Sequence, residues 1–319
     1  MSYNMNYLSH LRAVQACLPA LKIRANMDFA RNSIELLARG KYVVMHPQYA
    51  ALNGVNLAYT DSLSSAATHF IGWRNYINKR WRLSTDKLMF KRYCEGHGLR
   101  TPSMVRNLSD TTTGAILKRA DSSFGEGIDG PLLPGSEFRE LARGEYFETF
   151  VRGDICKMWF WDEQPVAMEV KPMVTVTGNG RATLRDLVNE IKSSFLPVHW
   201  DEVAKAAAFD GFSGLDDVVP DEQKVLVDFR YLSALHASRL DNLNVKPRYD
   251  GTKAMAQFEA AGKLFWKGIP PAMRQHTLYS VDAIIDANED VWFLEMNSNP
   301  IVQPDAYPFM LEGLFGKAA

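Results

Sequence analysis

The sequence predicts an α/β protein with a small N-terminal α/β domain and a larger, β-rich remainder. Three observations predict it. Helical and strand patterns alternate over residues 1 to 83, a capped amphipathic helix followed by extended chain occupies residues 84 to 102, and two β-branched and aromatic runs near the C-terminus flank a polar turn. The 319 residues, 46% hydrophobic and 23% charged, are enough for two or three cores.

Charge and cysteine content narrow the function classes. Net charge is −1 with no sustained Lys/Arg block, so neither nucleic acid nor a membrane surface is an expected partner. The opening segment carries Arg12, Gln15 and Pro19 among its apolar residues, and no later stretch reaches a spanning length, so a cytoplasmic protein is expected. Cys17, Cys94 and Cys156 lie far apart without paired spacing, which argues against a disulfide framework, a zinc site or a redox motif. The seven histidines show no ligand spacing. A homodimer is a base-rate expectation only.

Leu8, Leu11, Val14, Leu18 and Leu21 recur at helical spacing, and Asp28 to Arg39 reads as a second helix with Gly40 as its C-terminal cap. Tyr42 to Met45 follows as a buried strand. No Gly-rich phosphate fingerprint occurs here, so this region is not expected to hold a nucleotide. Ser84-Thr-Asp-Lys87 opens a helix whose face is lined by Met89, Phe90, Tyr93, Cys94 and His97 before Gly98 stops it. The strand Ala115 to Arg119 leads into Ala120 to Gly127, where serines and glycines let backbone N–H groups approach an anion. Glu145 to Val151, Lys157 to Trp161 and Val166 to Val176 read as strands, the last ending at the turn Gly178-Asn-Gly180, and Thr183 caps a helix to Ile191. Phe195 to Pro220 loses periodicity and reads as a long irregular excursion beside a site. Tyr249 to Lys263 is a further helix.

The last elements carry the sharpest chemistry. Tyr279 to Ile285 and Val291 to Asn297 form a predicted hairpin around the turn residues Asp286 to Asp290. Alternation puts Glu295 and Asn297 on one face, and the turn position sets Asp282 opposite Glu295. Like charges facing each other across strands need a compensating cation, and carboxylate and amide oxygens suit Mg²⁺ completed by substrate phosphates. The hairpin alone also admits a structural alternative, an acidic strand end before an Asn-Pro turn.

Taken in order, Ser84 to Pro102, Ile116-Leu-Lys118 with its Ser/Gly loop, Glu148, and then Asp282, Glu295 and Asn297 resemble the ATP-grasp superfamily of carboxylate-amine ligases. The first helix is similar to that of D-alanyl-D-alanine ligases. Val174 to Leu187 and Val219 to Leu226 are similar to segments of cyanophycin synthetases. The resemblance covers roughly residues 84 to 305 and implies an ATP-grasp fold, two α+β subdomains gripping ATP. The chain then divides into 1–83, 84–151 with the lysines and phosphate loop, and 152–319 with the metal and substrate side.

Residue by residue, the resemblance implies that Lys87 and Lys118 contact ATP phosphates and that Ser122, Ser123, Gly125 and Gly127 belong to the loop closing over them. Glu148 would accept from the adenine amine, main-chain groups at Val151 would read the ring edge, and Asp154 would stand near the ribose, although it directly follows Gly153 where the family spaces its acid differently. Asp282, Glu295 and Asn297 match the Mg²⁺ ligands, and Lys171 falls near the transferred phosphate, where it would act on an acyl phosphate or oxyanion. Ser280 and Ile301 depart from the pattern. The implied cofactors are ATP and Mg²⁺, and the implied reaction joins an amino-acid or peptide carboxylate to an amine through an acyl phosphate. The alternatives are an ATP-grasp kinase acting on a small molecule and a non-catalytic nucleotide-binding protein. Substrate contacts would be sought in residues 195–220 and at His46, His69 and Arg74, each more commonly structural than functional.

Overall fold

The computed structural model describes residues 5–53, 56–63, 67–120, 127–192, 197–231, 233–236 and 244–317. Helix α1 (Met5–Leu21) precedes β1 (Arg24–Asp28), β2 (Ser33–Ala38), β3 (Lys41–Asn53), β4 (Asn56–Thr60) and β5 (Ala67–Arg74), which pair antiparallel. Strand β3 is the hub: its first half pairs with β2 and its second half with β4 and β5. The helix expected over residues 28–39 is instead part of this sheet. Ile34, Leu36 and Ala38 are buried at every second position, and Arg39 and Gly40, with φ of 51° and 72°, form the two-residue loop that joins Ala38 to Lys41. Such loops need positive φ at both positions, so Gly40 serves a hairpin turn where the sequence suggests a helix cap.

Asp86 caps α2 (Lys87–Gly96), accepting from the Met89 N–H at 2.9 Å, and Gly98 turns the chain away with φ of 69°. Strands β6 (Met104–Val105), β7 (Ala115–Arg119), β8 (Asp129–Leu132) and β9 (Glu145–Thr149) make a sheet in the order β6-β9-β7-β8. The chain continues through β10 (Asp154–Trp161), β11 (Gln164–Lys171), β12 (Val174–Thr177), α3 (Leu184–Ile191), α4 (Trp200–Phe209), β13 (Lys224–Asp228), α5 (Lys246–Tyr249), α6 (Lys253–Gly268), α7 (Pro271–Arg274), β14 (Leu278–Ile285), β15 (Val291–Asn297) and α8 (Tyr307–Phe315). Thr183 caps α3 by accepting from the Asp186 N–H. Helix α4 interrupts the stretch expected to be irregular. Its buried stripe is Val203, Ala206 and Ala207, residues too small to stand out as a helical pattern against their exposed neighbours.

Strands β12 and β13 pair with each other, and β11-β10-β14-β15 form an antiparallel sheet. One face of that sheet, with Cys156, Met158, Phe160, Val281, Ala283 and Met296, packs on Phe258 and Phe265 of α6 and Phe90 and Cys94 of α2. A second core joins the two ends of the chain: Val14 and Leu21 of α1 and Trp73 of β5 meet Tyr307, Met310 and Leu314 of α8. The N-terminal sheet is therefore completed by the C-terminal helix. Overall the architecture is mixed α/β with several antiparallel sheets.

Candidate active site

Because one face of the β11-β10-β14-β15 sheet is core, alternation delivers the opposite residues to the other face. The register lines up Glu169, Lys157, Asp282 and Glu295 as a row across the four strands. One step along, Ser280 pairs with Asn297 on the same face. Lys157 Nζ lies 3.0 Å from Asp282 Oδ1, Asn297 Nδ2 donates to Asp282 Oδ2 at 3.2 Å, and Lys87 Nζ lies 3.2 Å from Glu295 Oε2. The cation that Asp282 and Glu295 require is thus supplied within the protein by two lysines. At 13–27% side-chain exposure, all four groups remain open to exchange partners with solvent or ligand.

Electrostatics distinguish the two acids. Burial pushes the Asp282 carboxyl up to about 6, with Lys157 opposing and Glu295 reinforcing the rise. Burial acts the same way on Glu295, but Lys87, Lys118 and Lys157 outweigh it and hold this carboxyl below its usual range. Burial would lower the Lys157 ammonium, yet Asp282, Glu295 and Glu169 raise it. Three ammonium groups therefore act on one carboxylate.

Lys118 on β7 also pairs with Glu148 on β9, in a second, buried cluster that shares this lysine with the first. Glu148 is 2% exposed and pairs with both Lys118 and Lys91 Nζ, the latter at 2.9 Å, while Lys91 also donates to Thr101 Oγ1 at 3.0 Å. Both Glu148 oxygens are engaged by lysines in this structure, where the sequence reading assigns the carboxylate to an adenine amine. Burial alone would raise the Glu148 pKa; Lys118 and Lys91 bring it below its ordinary value.

Val151 lies in the connection between β9 and β10, half-buried, and Asp154 is exposed at the start of β10. A Cβ on Gly153 would come within 2.3 Å of the Ile285 carbonyl oxygen, so the chain is pressed against β14 beside Asp154. Lys171 ends β11 with Nζ 4.3 Å from the centre of the Tyr231 ring, and Lys157 Nζ lies 5.1 Å from the same ring. The Tyr231 hydroxyl donates to Glu169. Gly127 has φ of 70° and sits against Arg119. Ser122, Ser123 and Gly125 lie outside the described residues.

The sequence reading passed over Lys157, Glu169, Tyr231 and Lys91. For Lys157 and Glu169 the signal was available: each is a lone charge inside an apolar strand, the same pattern that singles out Asp282 and Glu295. Lys91 follows Lys87 by about one helical turn, but its pairing with Glu148 depends on a fold that brings residues 57 apart together.

Among the described residues no three His, Cys, Asp or Glu side chains cluster as a protein-only metal cage. The donors of Asp282, Glu295 and Asn297 instead fit an ion that takes one or two carboxylates and keeps water and phosphate oxygens, which is the habit of Mg²⁺.

No protein-family profile matches the chain, and no curated protein matches it. Among solved structures it is similar to a bifunctional glutathione synthetase from Pasteurella multocida, at 13% identity and a TM-score of 0.44 over 98% of this chain and 43% of that one. It is also similar to a D-alanine–D-alanine ligase from Bacillus anthracis, at 10% identity and a TM-score of 0.37 over 74% and 67% of the two chains. A third is the ATP-grasp ligase PsnB complexed with minimal precursor, at 11% identity and a TM-score of 0.34 over 73% and 61%. The chain spans less than half the length of the glutathione synthetase. Likenesses this distant decide nothing about chemistry, which rests on the side chains just described.

Proposed function

We propose that this chain is an ATP-dependent ligase of ATP-grasp type that joins a carboxylate to an amine, with an amino acid or peptide as the acid. One observation carries the reading: Asp282, Glu295 and Asn297 share a sheet face with Lys157, and Lys87 and Lys118 act on the same Glu295. Such a set can exchange its internal ion pairs for a metal-bound triphosphate, the carboxylates going to the metal and the ammonium groups to phosphate oxygens.

In this mechanism Asp282, Glu295 and Asn297 would hold Mg²⁺, which when bound neutralises charge on the phosphates. Lys87 and Lys118 place positive charge where the leaving ADP gains electrons. A substrate carboxylate oxygen bonds to the γ-phosphorus as the bond to the β-γ bridging oxygen breaks, giving ADP and an acyl phosphate. The amine nitrogen then attacks the acyl carbon, phosphate leaves with the C–O electrons, and the nitrogen loses a proton to give the amide. Lys171, on the same sheet face as Lys157, is assigned to the oxyanion of that second step. No covalent enzyme nucleophile is needed; positioning and exclusion of water protect the intermediate.

The test is ADP and phosphate release from MgATP against amino acids and short peptides, singly and in pairs, with product masses. Amine-dependent turnover and a product equal to two substrates minus water support the ligase. A phosphorylated stable product, formed with no amine present, would replace it with a kinase.

A further inference from the structure

Arg74, the last residue of β5, is fully buried at 0% exposure. Among the described residues no carboxylate pairs with it; the titratable groups that act on its charge are Tyr76, Tyr59 and Tyr307. A buried charge without a counter-charge is costly, and an arginine does not escape that cost by giving up its proton. Nη1 donates to Asn299 Oδ1 at 3.1 Å and Nη2 to the Pro300 carbonyl. These neutral acceptors orient the guanidinium without neutralising it. Among the described residues these two bonds use two of the five N–H donors, and Nε–H has no acceptor.

The position ties this arginine to the reacting end of the site. Asn299 and Pro300 follow Asn297 at the end of β15, and Tyr59 lies within electrostatic reach of both Arg74 and Lys157. Tyr59, whose charge state Arg74 influences, is 43% exposed, and Ile301, next in sequence to the Pro300 that accepts from Arg74, is 50% exposed. A purely structural clamp on residues 299–300 would need donors there but no net charge.

We propose that Arg74 is the receptor for a carboxylate of the acid substrate, so that the N-terminal sheet supplies the acid-binding side of the ligase site. A carboxylate brings the missing negative charge and two coplanar oxygens that match a guanidinium edge. The proposal rests on the ligase reading, and its test separates the two.

Thermal melting of the wild type, Arg74→Met and Arg74→Lys is followed with and without MgADP. The acid probes are millimolar acetate, L- and D-alanine and alanylalanine, with chloride and inorganic phosphate at equal ionic strength as controls. At least one carboxylate is expected to raise the wild-type Tm by about 2–4 °C at ten times its dissociation constant. Arg74→Met should lose that rise and keep the MgADP shift, and without ligands it should melt no lower than the wild type. An acid-induced rise that persists in Arg74→Met, or no acid that separates it from the wild type, overturns the proposal. Phosphate acting as well as the acids overturns the carboxylate assignment, and failure of both variants to fold makes Arg74 a clamp. Absence of a MgADP shift in the wild type counts against the ligase reading, while the acid comparison still decides Arg74.

Discussion

Two acid–lysine clusters stand side by side in this protein and differ mainly in burial. In the first, Glu148 holds Lys91 and Lys118 with Glu148 and Lys91 at 2% side-chain exposure or less. In the second, Asp282 and Glu295 face Lys157 and Lys87 at 13–27%. Desolvation makes a buried pair hard to break because each partner left behind is an uncompensated charge, whereas water screens the open one and lets it trade partners. The buried cluster thus ties α2 to the β7-β9 sheet, and the open one is where a metal-bound polyphosphate can displace the lysines. Lys118 belongs to both, since it pairs with Glu148 and acts on Glu295.

The largest expected effect tests the open cluster. Glu295→Ala should lower magnesium-dependent ATP turnover by at least about 1,000-fold, about 4 kcal/mol of barrier, while denaturant unfolding changes by only about 1 kcal/mol or less. Near-normal turnover in a folded variant would remove Glu295 from the site. In the buried cluster the weights should reverse. Glu148→Gln leaves two lysines facing a neutral amide and should cost about 3–5 kcal/mol in urea unfolding; a loss comparable to that of Glu295→Ala would erase the contrast.

A pH experiment supplies a reference outside both clusters. His10 is buried against the Tyr307 hydroxyl, 2.9 Å from Nδ1, and burial lowers its pKa to about 4. The folded protein then binds fewer protons than the unfolded chain between about pH 4 and 6.5, so this stability is complete above 6.5 and is lost as pH falls toward 4. The full swing is about 3 kcal/mol; it should be absent from His10→Asn, so the difference in stability between wild type and variant should shrink by that amount as pH falls from 6.5 to about 4. The smallest effect is reserved for Lys157→Gln, with about 1 kcal/mol or less on stability. Because Lys157 competes for Asp282, this variant should bind free Mg²⁺ more tightly in calorimetric titration; weaker binding would mean that the lysine supports the metal instead of excluding it.

How much of this was legible beforehand follows from the range of each interaction. The pairing that sets Asp282 opposite Glu295 is local to the hairpin, but turn position alone does not give it: residues 283–285 pair one step out of that register, and a shift between Asp282 and Ala283 brings Glu295 opposite Asp282. Helix α2 was readable, since Asp86 and Gly98 mark its ends. The hairpin β2-β3 was misread because Asp28 to Arg39 supports a helical pattern until the Arg39-Gly40 loop and the long β3 are known, and tertiary pairing then prevails. Helix α4 escaped notice because alanine gives little periodic contrast. The partners of Glu148, the pairing of Lys157 with Asp282, and the burial of Arg74 without a carboxylate partner among the described residues arise from elements distant in sequence, which composition and spacing do not join.

The central claim is that MgATP binds by displacing Lys87 and Lys157 from the carboxylates. The most direct measurement is calorimetric titration of ATP into wild type and Glu295→Ala, each with and without Mg²⁺. The expected result is a magnesium-dependent gain in ATP affinity for the wild type that is lost in the variant while its melting temperature is kept. Equal magnesium dependence in both proteins, or tight ATP binding indifferent to the metal, would contradict it.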